Sequence, residues 1–295
     1  MLVVGLLGGS AAAFAVTERL KLERSPIFGT QIGKVVSPDS GRRVPIDFRV
    51  RKADDLSVAI VDGSDQVVRA LVPSHHVRPG PQQLTWNGRD DSGSPVPDGI
   101  YRPRVHLAGE HRTILLPNPI VVDTKVPQIA LTGRNLTVVS PDGDTEHDYL
   151  KVSFKTSEPA RAVLYANGRK VVKQKSFKAR SLQWGRRNGM PARPGLYRLQ
   201  LRAIDAAGNH GPLTSVFNVR IRYIGLGRHV IHVSAGGRIR VRVSTDAKKY
   251  FWRIGSRHGR VSSRMLSLAA GPVGRYRLVV SERGHSAKAL VVVGP

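Results

Sequence analysis

Any chemistry this chain performs must come from oxygen, nitrogen and aromatic groups, because it contains no cysteine. That removes disulfides, zinc–thiolate sites and thiol nucleophiles. Three groupings remain worth weighing. Asp142, Asp144, Glu146 and Asp148 alternate through one short stretch. Such a run could offer hard oxygens to Ca²⁺, which takes roughly six to eight of them. Asp142, Asp144 and Asp148 are the candidates for that role. The plainer reading is an Asx-rich turn that caps the strand beginning at Tyr149, with no metal. His75 and His76 are adjacent, so on extended backbone their rings diverge. No third ligand is near them in sequence, and they read as loop histidines. Phe251 and Trp252 stand among Arg253, Arg257, His258 and Arg260, a grouping suited to stacking on sugars or bases. A Trp in a sandwich strand, however, is more often core.

The motifs of common catalysis are missing. The sequence has no G-x-S-x-G, no H-E-x-x-H and no Walker loop. Gly225-x-Gly227 begins like a dinucleotide loop, but Val230 stands where the third glycine belongs. No catalytic residue and no cofactor are expected, and the chain is not read as an enzyme.

The elements that would position these groups are strands. Leu84 and Trp86 lie two apart, and Tyr101 to Val105 alternates again with Tyr101 and Val105 on one side, so each pair shares a face of an extended segment. Between them runs a loop of Asn, Gly, Asp, Ser and Pro, residues that supply positive φ and bond their own backbone. The pattern returns at Ser181–Ile204, with Trp184, a second Gly/Pro/Asn loop, and Tyr197, Leu199 and Leu201 on one face. A degraded third copy spans Arg264–Val280, with Leu268 in the Trp position and Tyr276 in the Tyr position. Trp and Tyr are fifteen residues apart in the first copy and thirteen in the second. Three copies of one strand pair imply three similar domains, with Trp86, Tyr101, Trp184 and Tyr197 as structural anchors.

The loop W-N-G-R-D-D-S-G-S-P-V-P-D-G-I-Y resembles the FlgD-type Ig-like domain of the flagellar hook-capping protein, also common in secreted bacterial repeat proteins. The residues that carry the resemblance are Trp86, Asn87, Gly88, Asp90, Gly93, Val96, Gly99 and Tyr101. In the second copy Trp184, Gly185, Asn188, Gly189, Pro194, Gly195 and Tyr197 follow the pattern; the third copy is recognisable by position alone. Ser140, Pro141, Gly143, Asp144 and Asp148 are similar to an S-P-N-G-D-G-x-N-D segment that often opens such domains, with Thr145 where that segment has glycine. The Asp123-Thr124-Lys125-Val126-Pro127 run is similar to linkers between bacterial Ig-like repeats.

The expected fold is all-β: three tandem Ig-like β-sandwiches preceded by an N-terminal apolar helix, with the resemblance covering roughly residues 35–223 and the third sandwich resting on the repeated strand pattern. The expected boundaries are 1–16 for a signal or membrane anchor and 17–34 for a stalk. The Ig-like domains then occupy 35–123, 124–222 and 223–295. Residues 1–16 are apolar and uncharged, and as a helix would reach only about 24 Å of a roughly 30 Å hydrocarbon core. An uncleaved anchor and a cleaved signal peptide both stay open; either exports the rest of the chain. The expected location is therefore the cell membrane, single-pass, with the Ig-like domains outside the cytoplasm, or a secreted form after cleavage.

The chain carries 47 basic and 21 acidic residues, a formal net charge of +26. Such a field attracts polyanions. Its placement has a plainer meaning: in Arg238-Ile239-Arg240-Val241-Arg242-Val243 every second residue is Arg, the outer face of a half-buried strand protected against edge pairing. The expected role is a non-enzymatic spacer or binding array of the cell envelope. Its partner would be an envelope protein or an anionic wall polymer, with the membrane contacted through the N-terminal segment and nucleic acid not expected. The alternatives are a polyanion-binding module and an accessory to an envelope enzyme.

Overall fold

Alternating apolar and polar residues become strands with one buried face. In Val44–Val50 the side chains of Val44, Ile46, Phe48 and Val50 are buried, while Pro45, Asp47 and Arg49 face outward. Each fully buried Ile or Phe contributes about 1.5–3 kcal/mol. The computed structural model describes residues 24–185 and 193–295. Within them lie twenty-five strands and no helix.

The first sandwich holds β1 (Ile27–Ile32), β2 (Val35–Val36), β3 (Val44–Val50), β4 (Asp54–Val61), β5 (Val67–Val77), β6 (Gly80–Trp86), β7 (Gly99–Leu107), β8 (Arg112–Leu115) and β9 (Ile120–Val122). One sheet has the order β1-β3-β6; the other runs β2-β9-β7-β4-β5, with β8 added beside β7. Only β2 and β9 pair in parallel.

The second sandwich holds β10 (Ile129–Arg134), β11 (Val138–Val139), β12 (Tyr149–Thr156), β13 (Arg161–Ala166), β14 (Arg169–Lys173), β15 (Ser181–Gly185), β16 (Gly195–Ile204) and β17 (Phe217–Ile221). The third holds β18 (Ile224–Leu226), β19 (Val230–Ser234), β20 (Arg238–Thr245), β21 (Tyr250–Ile254), β22 (Arg257–Val261), β23 (Met265–Ala269), β24 (Gly274–Glu282) and β25 (His285–Gly294). Their sheets are β10-β12-β15 with β11-β17-β16-β13-β14, and β18-β20-β23 with β19-β25-β24-β21-β22. Strand for strand this is the order of the first sandwich without β8. The parallel pair recurs as β11 with β17 and β19 with β25. The third copy, barely visible in sequence, therefore has the full topology of the other two. Each sandwich has its own apolar core. By packing the chain forms two compact units: residues to Lys125 with Ala206–Asn209, and Val126–Asp205 with His210–Pro295.

The expected fold is corrected in one respect. The described residues contain no helix, so the apolar helix expected ahead of the sandwiches has no support; residues 1–16 themselves lie outside the described residues. Among the described residues no helix is long and apolar enough to cross a membrane. A second correction concerns the stalk expected over 17–34. Its part Ile27–Ile32 is β1, paired antiparallel with β3, and Ile27 is buried in the first core. An outer strand that turns only its two ends, Ile27 and Ile32, to the core and breaks register between Phe28 and Gln31 leaves little alternation to read. The hairpin of β21 and β22 is tight. Ile254 pairs with Arg257, so the turn is Gly255–Ser256, with Gly255 at φ +58°.

Candidate functional site

The long loop between β6 and β7 is pinned by the aromatic pair that frames it. Trp86 donates from Nε1 to the Arg89 carbonyl at 2.9 Å, and Tyr101 donates its hydroxyl to the Pro97 carbonyl at 2.9 Å. The two rings lie 5.3 Å apart at 58°. In the second sandwich Trp184 and Tyr197 repeat this at 5.8 Å and 75°, and Tyr197 donates to the Arg193 carbonyl at 3.0 Å. Asn188 and Gly189 of that copy lie outside the described residues. In the third, Leu268 fills the Trp place in the core and Tyr276 donates to the Pro272 carbonyl at 2.9 Å. One tyrosine-to-carbonyl clamp, four residues back, thus holds all three loops.

A polar cluster forms where the second and third sandwiches meet within one compact unit. The loop from Ser140 to Asp148 is closed by the Ser140 N–H on the His147 carbonyl at 3.0 Å. Asp148 organises it from inside, accepting from the Gly143 N–H at 2.7 Å and the Thr145 N–H at 2.8 Å. Asp144 accepts from the Glu146 N–H at 2.8 Å, and Asp142 from the Asp144 N–H at 3.1 Å. Asp148 is thus spent on the loop's own backbone. Its place beside Asp142 and Asp144 is taken by Asp246, from the loop after β20. One carboxylate oxygen from each of Asp142, Asp144 and Asp246 lies within 4.8 Å of the others.

These carboxylates are poorly compensated. The Asp246 side chain is 7% exposed, and Asp142 is 9% exposed. Asp142 Oδ2, both Asp246 oxygens and the Ser140 hydroxyl are buried without a hydrogen bond. Ser140 lies close enough to favour the charged form of Asp246 electrostatically, but the geometry falls short of a bond. Asp246 has an ion-pair partner in His147, with Nδ1 3.6 Å from Asp246 Oδ2; it is half exposed and carries charge only when protonated. Burial pushes the Asp142 pKa up to about 6, opposed by the Asp144 N–H and reinforced by Asp144, Asp246 and Asp148. Burial likewise raises Asp246, against the pull of Ser140, of its own backbone N–H and of His147, while Asp144 adds to the rise.

The loop also carries strain at Thr145, which stands where the related segments have glycine. Its φ is +76°, a left-handed conformation costly for a β-branched residue. Thr145→Gly is therefore expected to stabilise this sandwich by about 1 kcal/mol, after the entropy glycine adds to the unfolded chain. Chemical denaturation checks this; a loss of stability would contradict it.

The remaining sequence candidates fall elsewhere. His76 Nδ1 lies 2.8 Å from Asp55 Oδ1 across the β4–β5 pair, and His75 is exposed, so the two histidines do not converge. Phe251 is the exposed member of its aromatic pair, with the Arg260 guanidinium 4.9 Å above its ring; Trp252 packs on the third core. Register places Arg253, Arg260, Arg275, Arg277 and Lys288 on the same outer face of the five-stranded sheet as Phe251. All are exposed, and no carboxylate shares the face among the described residues. Arg238, Arg240 and Arg242 point outward from the other sheet, as their alternation requires. Sequence reasoning missed Asp246, which has no local signal linking it to a loop a hundred residues earlier.

Residues 33–110 match the FlgD Ig-like domain family. Among solved structures the chain is similar to fibronectin(III)-like modules of Clostridium thermocellum CbhA, at 16% identity over 65% of this chain and 93% of that one, with a TM-score of 0.37. It is also similar to a structure from a 1.5-MDa bacterial ice-binding adhesin, at 13% identity over 92% and 99%, with a TM-score of 0.29. No curated protein matches the sequence. The family match and the thrice-repeated sheet order together make the chain a series of Ig-like domain repeats. Such domains are typically non-catalytic, and the array is consistent with a non-enzymatic module.

Proposed function

We propose that this protein is an exported component of a bacterial cell envelope, in which the Ig-like modules form a spacer and binding array for an envelope protein or wall component. The observation that supports this is the repetition itself: one sheet order and one tyrosine clamp, built three times with separate cores. Modules that close on themselves leave their outer faces and loops free for partners. The uncharged apolar stretch 1–16 tethers the array to the membrane, or is removed after export, and residues from about 17 onward lie outside the cytoplasm. Capture with the tagged protein from intact envelopes tests the binding role. A saturable envelope component is the expected result; retention of nothing above a tag-only control would contradict it.

A second reading, binding of an acidic wall polymer, is favoured by the carboxylate-free face around Phe251. Residues Tyr223–Pro295 carry fourteen Lys and Arg against two acidic residues, Asp246 and Glu282. Retention on an anionic polymer should then persist near 150 mM salt, where the screening length is about 8 Å. It should be lost when Arg253, Arg275 and Arg277 are together replaced by Gln. Equal retention by that variant would assign the attraction to the diffuse overall charge.

A further inference from the structure

We propose that Asp142, Asp144 and Asp246 hold a calcium ion that clamps the second sandwich to the third. Three observations carry this independently of the proposed function. First, the three carboxylate oxygens lie within 4.8 Å of one another. Ligands at about 2.3–2.6 Å from a Ca²⁺ ion stand up to about 5 Å apart across it, so one ion reaches all three.

Second, a hydroxyl outside the acidic set faces the same place. Ser140 Oγ is buried, at 3% residue exposure, beside Asp246 and without a hydrogen bond. A buried polar atom without a partner costs free energy that a ligand recovers. Asp142 Oδ2 and both Asp246 oxygens share that condition.

Third, the charge balance is inverted. The third sandwich has fourteen cationic side chains, yet it buries Asp246 against other carboxylates rather than against one of them. Apart from His147, the cations around the cluster are committed elsewhere or, among the described residues, form no ion pair with it. Arg134 donates to the Asn218 carbonyl at 2.8 Å; Arg222 lines the adjoining cavity of about 450 Å³; Lys248 and Lys249 flank the Asp144 side. His147 supplies at most one charge against three. All-oxygen donors suit a hard cation, and an irregular loop suits Ca²⁺ rather than the strict octahedron of Mg²⁺. Asp148, which folds the loop through Gly143 and Thr145, positions the ligands without being one. The clamp joins a loop and a residue from different sandwiches, so its effect is on their coupling.

Calorimetric titration of the intact, chelator-treated protein with CaCl₂ tests this. The expected result is one Ca²⁺ per chain with a Kd of about 10⁻⁴–10⁻³ M, the range of extracellular modules. Asp246→Asn and Asp142→Asn should each weaken binding at least about tenfold, while the exposed Glu146→Gln leaves it unchanged. Melting adds a readout that a merely structural role would not move. In chelator, Asp246→Asn should melt no lower than wild type, because it removes a buried charge set against two other carboxylates and met only by the half-exposed His147. In millimolar Ca²⁺ the wild type should melt higher than the variant. Asp142→Asn serves the same comparison if Asp246→Asn fails to fold. No heat of binding by wild type up to about 10 mM Ca²⁺, well above that range, would overturn the proposal. So would wild-type affinity in both variants, or an equal melting loss with and without calcium.

Discussion

Replacing Trp86 or Trp184 with alanine is expected to cost about 3–5 kcal/mol in the sandwich that holds it. Both indoles are among the largest fully buried side chains, at 1% and 0% exposure. Each removal leaves a cavity against the partner tyrosine, whose ring lies 5.3 Å away in the first sandwich and 5.8 Å in the second. In the first it also frees the Arg89 carbonyl from its indole donor. A whole domain is stable by only about 5–15 kcal/mol, so either change removes a large share. Scanning calorimetry should show Trp86→Ala lowering a transition that Trp184→Ala leaves alone, and the reverse. Unchanged melting in both variants would contradict the anchor role.

Gly211→Ala is expected to be comparably severe for a different reason. A Cβ at this position would stand 1.8 Å from the Pro127 carbonyl oxygen and 3.1 Å from its carbon. The obstacle is backbone, not a side chain that can swing away. Gly211 is itself held by its N–H on the Ala203 carbonyl at 3.0 Å, at the end of the turn after β16. Relief requires parting that turn from the first residues of the second sandwich, at a cost of about 3 kcal/mol or more. For a domain of this size that is a fall in melting temperature of about 12–24 °C. Gly133→Ala is the control, since its Cβ would meet nothing within 4 Å. A Gly211→Ala protein that melts with wild type would contradict the close approach.

How much of the fold is legible in the sequence depends on how local each signal is. Trp86, Tyr101 and the glycine-rich loop between them are contiguous, so one stretch carries a strand, a turn and the next strand. Arg238, Arg240 and Arg242 show their outward face because alternation on a strand is a two-residue signal. β1 is hidden: its partner β3 lies beyond β2 and a loop, and of its residues only Ile27 is buried. The third sandwich lacks the Trp and most of the loop motif, yet Leu268 still fills the core position and Tyr276 still clamps its loop. Volume and one hydrogen bond persist where residue identity does not. The acidic cluster is half legible. Asp142 and Asp144 are visible as an alternating run, but sequence spacing does not show that Asp148 turns inward to the backbone. Nor does it show that Asp246 replaces it, because that contact depends on how two sandwiches pack.

The proposed envelope role requires the Ig-like array to stand outside the cytoplasm, and fusing alkaline phosphatase after Pro295 in a bacterial host tests that most directly. The enzyme is active only where its disulfides form, in an oxidising compartment. The sandwiches contain no cysteine to interfere, and their large basic excess does not oppose export, since whole domains translocate largely regardless of charge. An active fusion is expected, with activity lost when residues 1–16 are deleted. A well-expressed but inactive full-length fusion would place the array inside the cell and contradict the envelope role.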